Sequence, residues 1–120
     1  MKKLQKRRHY LTTHVAGFTY WEGPMVFGEL HIGTELHLER EDDNKFDPYA
    51  IALYYDEYKI GYIPREDNED INKFLEMGWE DVFEVRINRV IPEQHPEQQI
   101  GIIVYIKLNA KEEGKEDFIQ

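Results

Sequence analysis

The chain has 120 residues, 41% of them hydrophobic and 13% aromatic, which suits one folded domain with a single core and not a disordered polymer. Its formal net charge of −9 argues against a surface that grips long nucleic acids through their phosphates alone. Cysteine is absent, which excludes disulfides, thiolate metal sites and a cysteine nucleophile and suits a reducing cytoplasm.

Residues 1–10 contain Lys2, Lys3, Lys6, Arg7 and Arg8 and read as a flexible basic arm. His9, Thr12, Thr13 and His14 interrupt any apolar run behind it, so no signal peptide is expected. No window approaches the roughly 18 apolar residues of a membrane span, and the chain reads as soluble and untargeted. The run from Thr12 to Trp21 is rich in β-branched and aromatic residues and predicts a strand, with Gly17 marking a bulge or a close backbone approach. Glu22-Gly23-Pro24 then reads as a breaker cluster.

Glu35 to Glu39 alternates polar and apolar residues at the period of a half-buried strand. Arg40 to Asp47 holds almost nothing apolar except Phe46 and predicts a loop. Strands follow over Ala50–Tyr55 and Lys59–Ile63, separated by a hairpin turn at Asp56-Glu57. Pro64 stands where a helix can begin, and acidic residues crowd the turn behind it. Ile71, Phe74 and Leu75 share one face, and Gly78 is placed as a C-cap, which predicts a helix from Arg65 to Met77. Strands over Val82–Ile91 and Gln99–Leu108 close a folded region of residues 11–110, and residues 111–120 form a charged tail. The pattern is mainly β with one or two helices: a small barrel or a curled antiparallel sheet with a helix packed on it.

Signatures of catalysis are missing. There is neither a GxxxxGK[ST] phosphate loop nor a GxSxG elbow. Glu41, Asp42, Asp43 and Asp47 are carboxylates that a divalent cation could use, but EF-hand spacing is absent and a solvated acidic loop is the plainer reading. His14, His31 and His37 lack metal-site spacing and read as scattered surface histidines. No metal or other cofactor is expected. Within the loop, Phe46 either plugs one end of the fold or stands exposed as a stacking platform. Asp47, before Pro48, either forms a turn or does more than that.

Three ordered blocks carry a resemblance. VAGFTYWEG (Val15–Gly23), LEREDDNKFDPYAIAL (Leu38–Leu53) and KIGYIPRE (Lys59–Glu66) together resemble the core pattern of the HIRAN domain family, over a span from Val15 to Arg89. The resemblance implies an OB-like β-barrel or curled sheet, here as a stand-alone, single-domain member. It also implies a non-enzymatic module that recognises the 3′-hydroxyl end of single-stranded DNA in repair or replication-fork processing. A separately encoded helicase or nuclease is the implied partner.

Residue by residue, the resemblance implies that bases stack on Tyr20 and Phe46 and that Asp47 accepts the hydrogen bond of the terminal hydroxyl. Asn44 would hold the loop or the base, Arg65 would meet a phosphate, and Tyr62 would line the pocket. Thr19 stands where DNA-binding relatives place a phosphate-contacting arginine. It supplies a hydroxyl and no charge, so weak, salt-sensitive binding is expected. The alternative is a protein-interaction module in which the same pocket takes no nucleic acid.

Overall fold

The computed structural model describes residues 6–108 of the chain. Six strands form one antiparallel sheet: β1 (Arg7–His14), β2 (Glu35–Arg40), β3 (Ile51–Tyr55), β4 (Tyr58–Tyr62), β5 (Phe83–Val90) and β6 (Ile100–Lys107). Their spatial order is β1-β6-β5-β2-β3-β4. Two short helices accompany them, α1 (Gly23–Val26) and α2 (Glu69–Glu76). This is the mainly-β, curled-sheet form expected from the strand pattern, and the sheet does not close into a full barrel.

The core follows from period-two alternation. Phe83, Val85 and Ile87 of β5 face inward, as do Ile100, Ile102 and Val104 of β6, and Val85 lies opposite Val104. In β3, Ile51, Ala52 and Leu53 are all buried, so the alternation lapses where a central strand is covered on both faces. Helix α2 contributes Ile71 to the core and sets the Phe74 ring edge-on to Phe83, with centroids 5.7 Å apart. As expected, the turn beyond it ends on Gly78, whose N–H donates to the Leu75 carbonyl at 3.0 Å. Among the described residues, no helix is long and apolar enough to cross a membrane.

Four expectations need correction. Residues 7–10 are not part of a flexible arm, because β1 begins at Arg7 and pairs with β6. The charge that suggested a solvated terminus is compensated instead: the Arg7 guanidinium lies over the Tyr105 ring at 3.9 Å and pairs with buried Glu84. Residues 1–5 and the charged tail 111–120 lie outside the described residues.

The strand expected to reach Trp21 stops at His14. Gly17 adopts a φ of 70°, which few side chains tolerate, and the chain turns into a 3-10 helix over Phe18–Tyr20. The Glu97 carboxylate accepts the Gly17 N–H with both oxygens, at 2.8 and 3.1 Å, and pins this turn to the β5–β6 loop. The supposed breaker Glu22-Gly23-Pro24 opens α1, with proline in the first turn, where its missing N–H leaves no bond unmade. The predicted helix from Arg65 to Met77 divides into a 3-10 turn, Arg65–Asp67, and α2.

One contact joins the two ends of the sheet. Ala16 and Tyr62 exchange backbone hydrogen bonds at 2.9 Å in each direction, bridging the segment after β1 to β4. Val15, one residue earlier, still donates to the Ile100 carbonyl of β6. The approach requires Gly61, since a Cβ there would stand 2.5 Å from both the Ala16 carbonyl oxygen and Val15 Cγ1. Its φ of 149° adds a conformational penalty for any other residue. Gly61→Ala is therefore expected to lower unfolding free energy by roughly 3 kcal/mol through overpacking and backbone strain. Denaturant unfolding checks this, and a loss below about 1 kcal/mol would show that the two segments separate without consequence.

Candidate functional site

The loop after β2 organises itself through its own polar side chains. Its base is closed by the Glu41 N–H donating to the Ala50 carbonyl at 3.0 Å. Asn44 Oδ1 accepts the N–H groups of Phe46 (2.9 Å) and Asp47 (3.0 Å), while its amide donates to Glu41 Oε1 at 3.1 Å. Asp47 Oδ1 accepts the Tyr49 N–H at 2.9 Å, the Asx-turn that an aspartate before proline favours. With the backbone fixed this way, the Phe46 ring points outward and is 87% exposed. The plug alternative is thereby excluded: the ring covers no part of the core.

The segment after β4 braces this loop from the other side. Arg65 Nη2 donates to the Phe46 carbonyl at 2.8 Å, and its Nε lies 3.6 Å from Asp47 Oδ2. Asn68, buried at the start of α2, donates to the same Oδ2 at 2.8 Å. Asp47 is thus held from both oxygens, and its side chain is 14% exposed. Each oxygen accepts a single hydrogen bond and keeps a lone pair free.

Asn44, Phe46, Asp47 and Arg65 line an open groove of about 310 Å³ together with Trp21, Tyr62 and Ala16. Asn44, Phe46, Asp47, Tyr62 and Arg65, all singled out from the sequence, converge here. Thr19 and Tyr20 do not line it. They lie on the exposed 3-10 turn, with Tyr20 81% exposed, and the next residue, Trp21, takes the position in the wall.

Behind the wall lies a lysine. The Lys59 ammonium sits 3.8 Å from the Trp21 ring centroid and 4.5 Å from that of Tyr62, and the two rings meet edge-to-face at 5.8 Å. Lys59 Nζ also donates to Glu41 Oε2 at 2.5 Å, and the Tyr62 hydroxyl donates to Glu41 Oε1 at 2.8 Å. Glu41 is therefore not part of a solvated acidic rim. Only Asp42 and Asp43 are exposed in that way.

Partial burial pushes the Glu41 carboxyl up, but hydrogen bonds from Lys59, Asn44 and Tyr62 outweigh it and hold the group below its ordinary value. Burial pushes Lys59 down, yet its bonds to Glu41 and Tyr62 prevail and raise it. For Tyr62, burial and the Glu41 carboxylate together raise the phenol.

Trp21, Lys59, Glu41 and Asn68 are the residues that sequence reading missed. The resemblance named Tyr20, and the 3-10 turn over Phe18–Tyr20 instead brings Trp21, the next residue, into the wall. Glu41 and Lys59 are 18 positions apart, and no local pattern pairs them. Among the described residues, no three His, Asp or Glu side chains gather as a metal site would require.

A HIRAN domain profile matches residues 9–109. No curated protein matches the sequence. Among solved structures, a protein from Lactobacillus plantarum superposes with a TM-score of 0.72 at 19% identity, covering 88% of this chain and 99% of that one. The HIRAN domain of human HLTF superposes with a TM-score of 0.61 at 14% identity, covering 88% of this chain and 80% of that one. At these identities the structural likeness establishes the fold.

The lowered Glu41 carboxyl has a consequence in acid. The unfolded chain takes up a proton near pH 4.5 while the folded form still resists it, so the stabilisation is complete above that value. It is lost as pH falls through the depressed folded value. Glu84 behaves alike, its burial outweighed by Arg86 and Arg7. The denaturant midpoint is expected to fall as pH drops below about 4.5, the ordinary carboxyl value, and Glu41→Gln should flatten part of that slope. An unchanged acid slope in that variant would remove Glu41 from the account.

Proposed function

This chain belongs to the HIRAN domain family, whose members are in general DNA-binding, and on that premise we propose that its groove captures the 3′-hydroxyl end of single-stranded DNA. The observation that carries the reading is the pairing of Phe46 and Asp47. One loop, tied down by Asn44, holds an outward-facing ring beside a fixed carboxylate.

The chemistry is complementary. An exposed ring offers its face to a terminal base, a contact worth about 1–3 kcal/mol. A carboxylate with free lone pairs accepts a hydroxyl donor and repels phosphate, so Asp47 separates a free end from a continuing strand. Arg65, 70% exposed and with N–H groups beyond those it uses on the loop, is the cation for an adjoining phosphate. Tyr62 forms the wall. Tyr20, exposed on its turn, extends the stacking surface to a further base. Thr19 adds a hydroxyl donor there and no charge, which keeps the affinity weak. Asn44 acts through the loop, because both ends of its amide are engaged within it.

In this reading the chain is a non-catalytic binding module, as HIRAN domains typically are. It acts in the cytoplasm in DNA repair or fork processing, beside a helicase or nuclease encoded separately. An acidic domain tolerates such a ligand because contact is confined to one terminus. If Arg65 neutralises one phosphate, log affinity should fall against log salt with a slope of about −0.7.

The test compares short single strands that end in a 3′-hydroxyl, end in a 3′-phosphate, or are closed as circles, by fluorescence anisotropy. The hydroxyl end should bind tightest. Asp47→Asn should erase that preference. Phe46→Ala should weaken every strand alike, by roughly 5- to 100-fold from the lost stack, without lowering the unfolding temperature. Equal affinity for all three strands, or none, would sink end recognition. Absence of binding together with a stoichiometric peptide complex at the groove would favour the protein-interaction alternative, which the uncharged Thr19 supports.

A further inference from the structure

The groove is built from two pieces of chain that share no strand, the turn carrying Trp21 and the loop carrying Phe46 and Asp47. Lys59 touches both assemblies, alongside Tyr62, whose ring meets Trp21 and whose hydroxyl donates to Glu41. Its ammonium lies against the Trp21 ring at 3.8 Å on one side and bonds Glu41 Oε2 on the other. Glu41 in turn accepts from Asn44, and Asn44 holds the N–H groups of Phe46 and Asp47. The Lys59 backbone repeats the linkage: its N–H donates to the Glu22 carboxylate at 3.0 Å, and its carbonyl accepts the Glu22 N–H at 2.9 Å, one residue beyond Trp21.

From this continuous path we propose that Lys59 is the positioning residue of the groove, locking the Trp21 wall to the reading loop so that both present one preformed surface to the ligand. The proposal rests on the end-binding reading for its ligand, and on geometry alone for the lock itself. Lys59 reaches no ligand directly. Its side chain is 14% exposed, it does not line the groove, and its charge is consumed by Glu41 and two aromatic rings.

The lock has a physical rationale specific to lysine. The Trp21 indole stands partly exposed on a turn outside the sheet, with one ring face covered by the ammonium. Removing the cation frees that ring and leaves Glu41 without its ionic partner, so the Asn44 contact loosens as well. An apolar side chain of equal length fills the space and supplies neither attraction. Arginine supplies both, since its guanidinium stacks on aromatic faces and pairs with carboxylates.

The experiment uses a Trp79→Phe background, so that Trp21 is the sole tryptophan, and compares Lys59→Met with Lys59→Arg. In Lys59→Met, acrylamide should quench Trp21 more strongly and its emission should shift to the red. Affinity for a short oligothymidylate ending in a 3′-hydroxyl should fall on the order of tenfold, the loss expected of a cation–ring contact. Lys59→Arg should restore both readouts. Unchanged quenching in Lys59→Met overturns the proposal. So does a variant that melts at lower temperature yet binds with unchanged affinity when folded, because that is a structural role only. If the parent protein binds no strand at all, the end-binding reading fails by itself, and the quenching of the two variants still decides whether Lys59 sets the wall.

Discussion

Ala16 and Tyr62 exchange both of their backbone hydrogen bonds at 2.9 Å, and the contact brings the segment after one edge strand against the other edge strand of the sheet. The wall of the groove opposite the loop depends on that meeting. It places the Gly17–Trp21 turn beside β4 and so brings Trp21 against Tyr62 and Lys59. It also orients the end of β4, from which Arg65 reaches the loop at Phe46. The enabling residue has no side chain: Gly61 leaves the space into which Ala16 and Val15 pack. The Ile60-Gly61-Tyr62 run thus has a steric origin, and the same position brings Tyr62 into the wall of the groove.

The electrostatic organisation follows the same logic of local compensation. A chain with net charge −9 holds its least exposed charges in neutral groups: Arg7 and Arg86 with Glu84 and Glu35 on the outer face of the sheet, and Lys59 with Glu41 behind the groove. The more exposed acids lie elsewhere, with Asp42 and Asp43 on the loop rim, Glu66 ahead of α2, and Glu69 and Asp70 in its first turn, where both face Lys73. Buried ion pairs of this kind contribute little net stability relative to apolar substitutes. What they supply here is geometry, because each fixes two segments that are distant in the chain.

The local content of the fold was readable to a large extent. β2 to β6 lie where alternation and β-branched composition placed them, and the Asp56 turn and the Gly78 cap follow from turn chemistry. Reading failed where a tertiary partner overruled the local signal. Arg7 looks like part of a solvated terminus until Glu84 and Tyr105 are brought beside it. Trp21 looks like strand until Gly17 turns the chain and Glu97 holds it there.

For the groove, the sequence by itself determined the reading loop. Asn44, Phe46 and Asp47 bond within a few residues of one another, and short-range contacts of that kind are written in residue type and spacing. It also determined Tyr62 and Arg65 through their motif. The tertiary structure alone decided the Trp21 wall and the two residues that brace the groove from behind, Lys59 and Asn68. Trp21, Lys59 and Asn68 act across 18 to 38 positions of chain and owe their places to the curl of the sheet. No periodicity records contacts between segments that lie far apart in the chain and meet only when the sheet curls.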